Sequence, residues 1–484
     1  MSEPIHTSLE KNITHLKDSF YSASDLSVRK LRIPTEDPFN VYLVYIEGIA
    51  NTDKIEMNII DPLLESAKEI ELSASYIEDV SQKVIKVAGI KIAGTFAELT
   101  DAILDGNTVI LIEGYNKGII AKTADLKERS LEQVTSERSP RGGLVGLTEK
   151  LDTNISLLRG MLKTSNFCID SMDIGSISKT PIAILYIKGI VDQDVLAEVR
   201  QRINKLKVNY VLEAKLIEEA MEDKAKTILF TMSETTERPD VINSSLYEGK
   251  VVVLVDGNPF GIILPGLFVS ALQAPDEYYQ KLGRISIRLV RLISFIMTIY
   301  IPSIYVVIAK YYVDDLPTNV AETLFKGDEL LPPFWSMIIL FFLLVVLTDA
   351  IFRIPQSGII LVSLLATIAI GETAVTAKLI HPVTLILVAI TYLTSLLLAN
   401  KQMAAPTNTL RTVFLIIGNL FSLPGMIIGT TLLVVYMVTL RSVGVPYLSP
   451  IIPFRIEEFK DTFIRSKLEK INNSKHSFPT IKNK

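Results

Sequence analysis

Residues 412–440 read TVFLIIGNLFSLPGMIIGTTLLVVYMVTL, and this stretch decides the class of fold. A membrane-spanning helix needs about 20 apolar residues, so this uncharged stretch is long for a single span. Leu423, Pro424 and Gly425 interrupt it, and a proline inside a helix removes a backbone hydrogen bond. The pattern predicts a broken helix or a tight hairpin within a membrane.

Four further apolar stretches lie upstream in the second half of the chain, at residues 289–309, 334–352, 357–370 and 383–399. The 357–370 stretch reaches spanning length only if residues 371–375 are included, which puts the carboxylate of Glu372 near one membrane face. At least four of the five stretches should cross the membrane. The second half is therefore predicted to be an α-helical polytopic membrane domain.

Basic residues next to the stretches indicate orientation, because cytoplasmic flanks carry an excess of Lys and Arg. The amino-terminal flank of the first span and the tail are both basic, and both are predicted to face the cytoplasm; their cations are Lys281, Arg284, Arg288, Arg291, Arg455, Lys460, Arg465, Lys467 and Lys470. The last stretch must then cross an even number of times. Six crossings fit best. In a four-span alternative residues 334–352 lie in the interface, which leaves Lys401 and Arg411 outside.

The first half, residues 1–285, mixes charged and apolar residues as a water-facing globular region does. The net charge of −4 gives no basic field, so nucleic acid is not an expected partner. Cys168 is the single cysteine, which excludes an intrachain disulfide framework. The first residues lack the basic and apolar regions of a secretory signal, so we expect this half to stay cytoplasmic.

Two strand patterns occur twice in this half. Residues 41–49, VYLVYIEGI, return as IAILYIKGI at 182–190, and DGNTVILIEG at 105–114 returns as EGKVVVLVDG at 248–257. The two patterns return in the same order and after nearly equal spacings, which predicts a duplication into two related α/β subdomains. Each copy should contain a strand, helical segments such as 61–68 or 193–206, and a hairpin. The alternative is two unrelated domains with similar strands.

Residues 136–143 are rich in glycine and other breakers, and a helix is predicted after them at 148–162. No strand or Gly-Lys-Ser/Thr arrangement accompanies these glycines, so we interpret them as a linker. The predicted division is a first cytoplasmic subdomain at 1–135, a linker and connecting helix at 136–162, a second subdomain at 163–285, a transmembrane domain at 286–443 and a basic cytoplasmic tail at 444–484.

Catalytic motifs are missing from the sequence: there is no HExxH, Walker loop, nucleophile elbow or dinucleotide fingerprint, and the histidines are far apart. We therefore expect no enzyme, no catalytic residue, no metal site and no cofactor.

Polar residues within the apolar half are the candidates for function, since a charge in hydrocarbon is costly and usually faces protein or water. Asp349, Arg353 and Glu372 are such exceptions. They either end helices in the headgroup region or serve an ion path. In the second interpretation Glu372 and Thr373, together with Asn419 and Ser422 near the interrupted stretch, line a path where several subunits meet.

An ordered set of strings resembles the A subunit of the spore germinant receptors, the GerA family of endospore-forming bacteria. The most specific is LRSVGVPYLSP at 440–450; others are VDGNPF at 255–260, APDEYY at 274–279, IPSIYV at 301–306, RIP at 353–355 and TNISLLR at 153–159. The resemblance assigns structural roles to Asp256, Gly257, Pro259, Pro302, Arg353, Pro355, Arg441, Gly444 and Pro446. The chain departs from the family pattern in the spacing after Pro140 and in having Glu372 where glutamine is expected.

The resemblance implies an inner-membrane complex of the dormant spore that senses nutrients and triggers germination. Its expected partners are a transporter-like B subunit that binds the germinant and a lipoprotein C subunit. The A subunit is implied to be the oligomeric, ion-conducting, ligand-gated element, with its water-facing half on the core side. A secondary transporter that acts alone on a small solute is the alternative.

Overall fold

The computed structural model describes residues 3–21, 23–34, 38–65, 76–125, 134, 137, 143–211, 213–223, 227–273, 283–325, 327–353, 372–398 and 401–454. Two five-stranded sheets form the amino-terminal region, and helices dominate the rest. The predicted fold class, an α/β region of two related subdomains followed by a helical membrane domain, is confirmed. Pro355, the 357–370 stretch and the tail from Arg455 lie outside the described residues.

The two sheets share one topology. Their strand orders are β1-β2-β4-β5-β3 and β6-β7-β9-β10-β8, and all neighbours are antiparallel. The strands are β1 Leu26–Ile33, β2 Phe39–Ile46, β3 Ile90–Ala93, β4 Thr108–Ile112, β5 Gly118–Ala121, β6 Phe167–Ile174, β7 Thr180–Ile187, β8 Glu234–Thr236, β9 Val251–Val255 and β10 Gly261–Leu264. The repeated sequence patterns occupy β2 and β7, and β4 and β9. The predicted duplication is therefore present in the fold.

Helices cover both faces of each sheet, which explains why the central strands are apolar without alternation. In the first repeat one layer packs on β4 through Leu16 and Leu99, and the other through Ile59 and Val80. The second repeat has the same two layers. The helices are α1 Leu9–Ser19, α2 Thr52–Ile55, α3 Asp61–Glu65, α4 Tyr76–Asp79, α5 Phe96–Leu104, α6 Leu151–Met161, α7 Gln193–Lys205, α8 Lys215–Met221 and α9 Pro239–Tyr247.

A buried asparagine recurs at the first helix of each repeat. Asn12 in α1 accepts a hydrogen bond from the amide of His6 and donates one to its carbonyl. Asn154 in α6 makes the same two bonds with Thr148. The helix predicted at 148–162 begins later, at Leu151, because Thr148 belongs to this preceding turn. The division at residue 163 stays a prediction, and the packing of α6 on the second sheet favours placing that helix in the second repeat.

The two repeats are joined by a buried ion pair. Arg159 of α6 is fully buried and donates from Nε and Nη2 to the two carboxylate oxygens of Asp25, both at 2.8 Å. Its Nη1 donates to the carbonyl of Phe167, and its guanidinium lies over the Phe167 ring. Ser24 adds a hydrogen bond to the carbonyl of Ile169. The start of β1 is thereby fixed against the second repeat.

The described part of the carboxyl-terminal region contains the helices α10 Gly283–Val307, α11 Thr318–Leu324, α12 Pro333–Arg353, α13 Thr373–Thr376, α14 Pro382–Leu396 and α15 Ala404–Thr439. Among the described residues, the segments Ile287–Asp315, Pro333–Ala350 and Ala404–Thr439 are long and apolar enough to cross a membrane. The shorter α14 is also apolar. The number of crossings stays a prediction, because the 357–370 stretch is not among the described residues.

The interrupted stretch folds as a hairpin. Ser422 leaves helical geometry, with φ 56° and ψ −156°. The hydroxyl of Ser303 in α10 lies 2.7 Å from the carbonyl oxygen of Phe414 and 3.3 Å from the sulfur of Met426. A straight helix would separate Phe414 from Met426 by about 18 Å, so α15 must turn back. Of the two forms predicted, the tight hairpin is the one observed, with arms at residues 404–421 and 423–439.

Contacts define two ends of the helical region. At the proximal end, the two feet of the hairpin touch the second repeat, where Gln402 donates to Thr235 and the Tyr436 hydroxyl accepts from the amide of Ile228. At the distal end, the hairpin tip meets the end of α10. The segment between α10 and α12 also lies there, because the Tyr305 hydroxyl near the end of α10 donates to the Leu324 carbonyl at 3.0 Å and the rings of Tyr305 and Phe325 stack.

Candidate functional site

The second repeat and the membrane helices share one apolar core, called here the junction core. The second repeat contributes three aromatic or sulfur side chains and two smaller ones, and the remainder comes from α10, both arms of α15 and the segments that flank α15. Its buried members are Phe230, Met232, Phe268, Ala271, Leu272, Phe295, Ile299, Met403, Leu410, Phe414, Met437, Leu440, Tyr447 and Leu448. Because these side chains form a single cluster, the second repeat cannot shift without repacking against the helices.

The segment after the hairpin returns to the second repeat as a small β-ribbon. Strands β11 Arg441–Ser442 and β12 Val445–Pro446 are antiparallel and are joined by two residues with positive φ, Val443 at 39° and Gly444 at 90°. Such a turn favours glycine at its second position. Val443 and Val445 are buried in the core of the second repeat. The family string at 440–450 therefore holds the end of the membrane domain on the α/β region.

Ser442 is the polar contact at the centre of this ribbon. Its side chain is fully buried, its hydroxyl donates to the carbonyl of Met232, and it accepts from the amide of Gly266 at 3.1 Å. The Phe268 amide donates to the Tyr447 carbonyl at 3.0 Å. A β-carbon on Gly266 would lie 2.7 to 2.8 Å from backbone atoms of Ser233, so only glycine fits this approach.

The first membrane helix is attached to the same strip of the second repeat. Arg291 of α10 donates from Nη1 to the carbonyl of Leu272 at 3.0 Å, and the rings of Phe295 and Phe268 meet at 5.6 Å. Residues 266–273 therefore contact both the start of the helical region and its end. A displacement of this strip would move α10 and the ribbon together.

Tyr447 closes the junction core next to the first arm of α15. Burial raises the pKa of its phenol far above the usual range, and the carboxylate of Glu234 adds to the effect. The hydroxyl therefore stays protonated, with its oxygen 3.9 Å from the sulfur of Met403. Rings of Phe230 and Phe268 pack on the same side chain.

The residues that the family resemblance singled out are distributed over the fold. Asp256 accepts from the first amide of α6 at 3.0 Å and so stabilises a helix start. Gly257 follows at φ 81° in the turn between β9 and β10, with Pro259 in the same turn. Pro302 is buried inside α10.

The other family-motif residues lie in the ribbon or at the end of α12. Arg353 pairs with Asp349 at 3.1 Å on an exposed surface. Arg441 is exposed and donates to the carbonyl of Gly444, and Pro446 lies half-buried in β12.

Two of the ion-path candidates meet at the hairpin tip. Lys310 donates to the backbone carbonyl of Asn419 at 2.7 Å and to its side-chain oxygen at 3.3 Å. The Ser422 hydroxyl donates to the Tyr312 hydroxyl at 3.5 Å. Lysine at the carboxyl end of a helix binds free carbonyls and offsets the helix dipole. Lys310 is not among the functional residues predicted from the sequence, although it ends an otherwise uncharged stretch.

Glu372 and Thr373 lie elsewhere at the distal end, at the start of α13. Both side chains are exposed, and the Glu372 carbonyl accepts from the Thr376 hydroxyl at 2.8 Å. Lys378, after the end of α13, pairs with Asp328. The described contacts do not bring Glu372 to Asn419 within one chain, so a path that uses both would need several copies. Among the described residues no group of three His, Cys, Asp or Glu side chains could hold a metal ion.

A duplicated α/β region fixed to apolar spanning-length helices by one buried core defines a class of membrane-associated proteins with a large water-facing domain. Comparison with known proteins gives the family. The family described as Bacillus/Clostridium GerA spore germination protein matches residues 14–477. The chain therefore belongs to the GerA family of germinant receptor A subunits, which act in spore germination.

The chain is similar to several individual proteins. Spore germination protein KA of Bacillus subtilis (strain 168) is 33% identical over 465 residues, which cover 95% of this chain and 85% of that protein. Spore germination protein B1 of the same organism is 29% identical over 95% of each chain. The crystal structure of the N-terminal domain of the A subunit of the Bacillus megaterium spore germinant receptor GerK3 is 27% identical, covers 55% of this chain and 98% of that chain, and has a TM-score of 0.45.

Proposed function

We propose that this chain is the A subunit of a nutrient germinant receptor and forms an oligomeric, ligand-gated ion-release element that triggers germination. The observation that carries the proposal is the junction core, which ties the second repeat to α10 and to both feet of the α15 hairpin. A shift in the α/β region would reach the membrane helices through packed side chains, as coupling between two arrangements requires. No enzymatic step is part of the proposal.

The proposed complex lies in the spore inner membrane, with the α/β region and the tail on the cytoplasmic, core side. Its partners are a transporter-like B subunit, which binds the nutrient, a lipoprotein C subunit, further copies of this chain and membrane lipid. Large apolar side chains on the outer faces of the helices, among them Phe342, Ile427 and Leu432, are largely exposed and suit lipid or a neighbouring copy. Among the described residues of one copy, the Glu372 side chain is exposed.

Reconstitution tests this function. The chain is purified with its B-type and C-type partners, placed in ion-loaded liposomes, and ion release is followed with and without candidate nutrients. We expect release only when nutrient and all three subunits are present. Nutrient uptake by this chain alone, with no ion release from the complex, would favour the secondary-transporter alternative.

Labelling of single cysteines should show the two ends of the helical region on opposite sides of the membrane. Cys168 is buried, and burial raises the pKa of its thiol, so background labelling is low. In a Cys168→Ser chain, Thr318→Cys at the exposed start of α11 should react with an impermeant maleimide added outside, while the exposed Ile177→Cys of the second repeat should not. Labelling of both, or of Ile177→Cys alone, would refute the orientation.

Glu372→Gln should lower cation release roughly tenfold at low ionic strength if copies of Glu372 ring the distal mouth, because a carboxylate ring concentrates cations. The difference should shrink as salt rises and screens the charges. Glu322→Gln, which removes an exposed carboxylate from α11 at the same end, is the matched control and should leave release unchanged. Equal release from wild type and Glu372→Gln, at equal abundance, would place Glu372 in the headgroup layer.

A further inference from the structure

Arg411, in the first arm of α15, carries a buried charge that the described protein groups leave partly unsatisfied. The residue is only 3% exposed, and its guanidinium lies 3.8 Å from the centre of the Phe341 ring in α12. No described residue places an acceptor within hydrogen-bond distance of its Nε or Nη1 atoms. A guanidinium offers only donors, and a buried donor without an acceptor costs free energy.

These donors line a cavity of about 250 Å³ between α12, α14 and the first arm of α15. Its polar lining comes from Thr348 and Asp349 of α12, Tyr392 of α14 and Asn408 of α15, and the side chains of Leu344 and Val345 complete it. The phenol of Tyr392 and the side-chain amide of Asn408 can add donors beside the guanidinium, whereas the Thr348 hydroxyl already donates to the Leu344 carbonyl at 2.7 Å. The cavity therefore combines a cation, further hydrogen-bond donors and an apolar wall.

The charged side chains at the cavity leave a net charge of one positive unit, which a single bound anion would neutralise. Asp349 is the carboxylate of the cavity, and it already pairs with the exposed Arg353 at 3.1 Å. The two charges of that pair cancel, so Arg411 leaves one positive charge uncompensated in the described lining. Buried charges in proteins are normally paired, because leaving one unpaired costs several kcal/mol.

The depth of the site fits a lipid headgroup. Arg411 lies about two helical turns after Ala404, where α15 begins. That start touches the second repeat through Gln402, so the cavity lies at the proximal end. Headgroup layers occupy the outer part of each leaflet, and basic pockets between helices near a membrane face suit lipid phosphates.

We propose that this cavity binds the phosphate group of an anionic phospholipid from the proximal leaflet, with Arg411 as the ligand of the phosphate. A phosphodiester carries a single negative charge and several acceptor oxygens, which match the single uncompensated charge and the free donors. The acyl chains would lie along the apolar wall of α12. This site does not depend on ion conduction, so its failure and a failure of the proposed function are separate results.

The test uses the full chain in phosphatidylcholine nanodiscs with or without phosphatidylglycerol, and native mass spectrometry counts the phosphatidylglycerol retained per chain. Arg411→Gln should weaken retention roughly tenfold or more, because it removes a charged hydrogen-bond donor. Arg441→Gln removes an exposed cation at the same end that does not line the cavity and should retain the lipid. Tyr392→Phe keeps every charge, removes a phenol donor from the cavity lining and should weaken retention a few-fold. This variant keeps the test informative if Arg411→Gln does not fold.

Two further experiments distinguish a lipid phosphate in the cavity from a free anion and from the carboxylate of Asp349. Inorganic phosphate added to phosphatidylcholine nanodiscs should raise the thermal stability of the chain, in an Arg411-dependent way, far less than phosphatidylglycerol does. An equal rise in thermal stability would identify a free anion and overturn the lipid assignment. Asp349→Asn should leave lipid retention unchanged or stronger, whereas a loss of thermal stability without phosphatidylglycerol dependence would show that Asp349 itself neutralises Arg411 and would overturn the proposal. Equal retention by wild type and Arg411→Gln would also overturn it.

Discussion

Replacement of Arg159 by alanine should cost about 3–5 kcal/mol of the free energy that holds the two repeats together, because it leaves the buried carboxylate of Asp25 without a partner. Arg159 also satisfies the carbonyl of Phe167, which would lose its donor. Hydrogen exchange of the full chain in detergent gives the measurement. Amides of β1 and β6 should exchange about 100-fold faster or more, since each 1.4 kcal/mol is a factor of about ten.

Two variants sharpen this result. Lys163→Ala removes an exposed ion pair with Asp105 nearby and should change exchange little, as surface pairs contribute about 0–1 kcal/mol. The double variant Asp25→Leu with Arg159→Met should recover much of the protection, because apolar side chains of similar volume can replace a buried pair. Wild-type exchange rates in Arg159→Ala would contradict the account of the repeat interface.

Gly266→Ala should detach the ribbon from the second repeat. The added β-carbon would lie 2.7 to 2.8 Å from backbone atoms of Ser233, so the strip must move away. The move would also break the bonds from the Gly266 amide to Ser442 and to the Met232 carbonyl. Overpacking and a lost buried hydrogen bond together cost about 2–6 kcal/mol.

The measurement is exchange protection of amides at 441–448 in the full chain, which should fall while that of β2 and β4 stays unchanged. Gly94→Ala is the control, because Gly94 has no atom within 4 Å of the added carbon and lies in the first repeat. Unaltered protection at 441–448 in Gly266→Ala would show that the ribbon is held by contacts other than those described.

The duplication could be predicted from the sequence because a buried strand that ends in glycine leaves a local pattern. The patterns at 41–49 and 182–190 sit on β2 and β7, which occupy the same place in their sheets. The start of the second repeat was harder to predict, since α6 resembles any amphipathic helix. The paired bonds of Asn12 and Asn154, together with the packing of α6 on the second sheet, relate α6 to α1.

The long-range contacts had no signal that a single sequence could reveal. Pro424 and Gly425 are compatible with a kink as well as a hairpin, and only contacts with Ser303 in another helix distinguish them. The Ser442 hydroxyl accepts from the backbone amide of Gly266, far away in the chain, and nearly every residue type carries such an amide. Of the ion-path candidates, Asn419 and Ser422 share the hairpin tip, whereas the lysine that binds Asn419 follows α10. Their role in ion passage stays a prediction.

In the proposed function the second repeat controls ion release through the ribbon, and nutrient-triggered flux from the reconstituted complex measures that control. Ser442→Ala is compared with Ser449→Ala, because both serines are fully buried in the same segment and no described residue hydrogen-bonds the Ser449 hydroxyl. We expect Ser442→Ala to shift the half-maximal nutrient concentration or the basal flux about tenfold, the effect of one lost buried hydrogen bond, and Ser449→Ala to match wild type. Identical nutrient responses for Ser442→Ala and wild type, at equal abundance in the membrane, would contradict it.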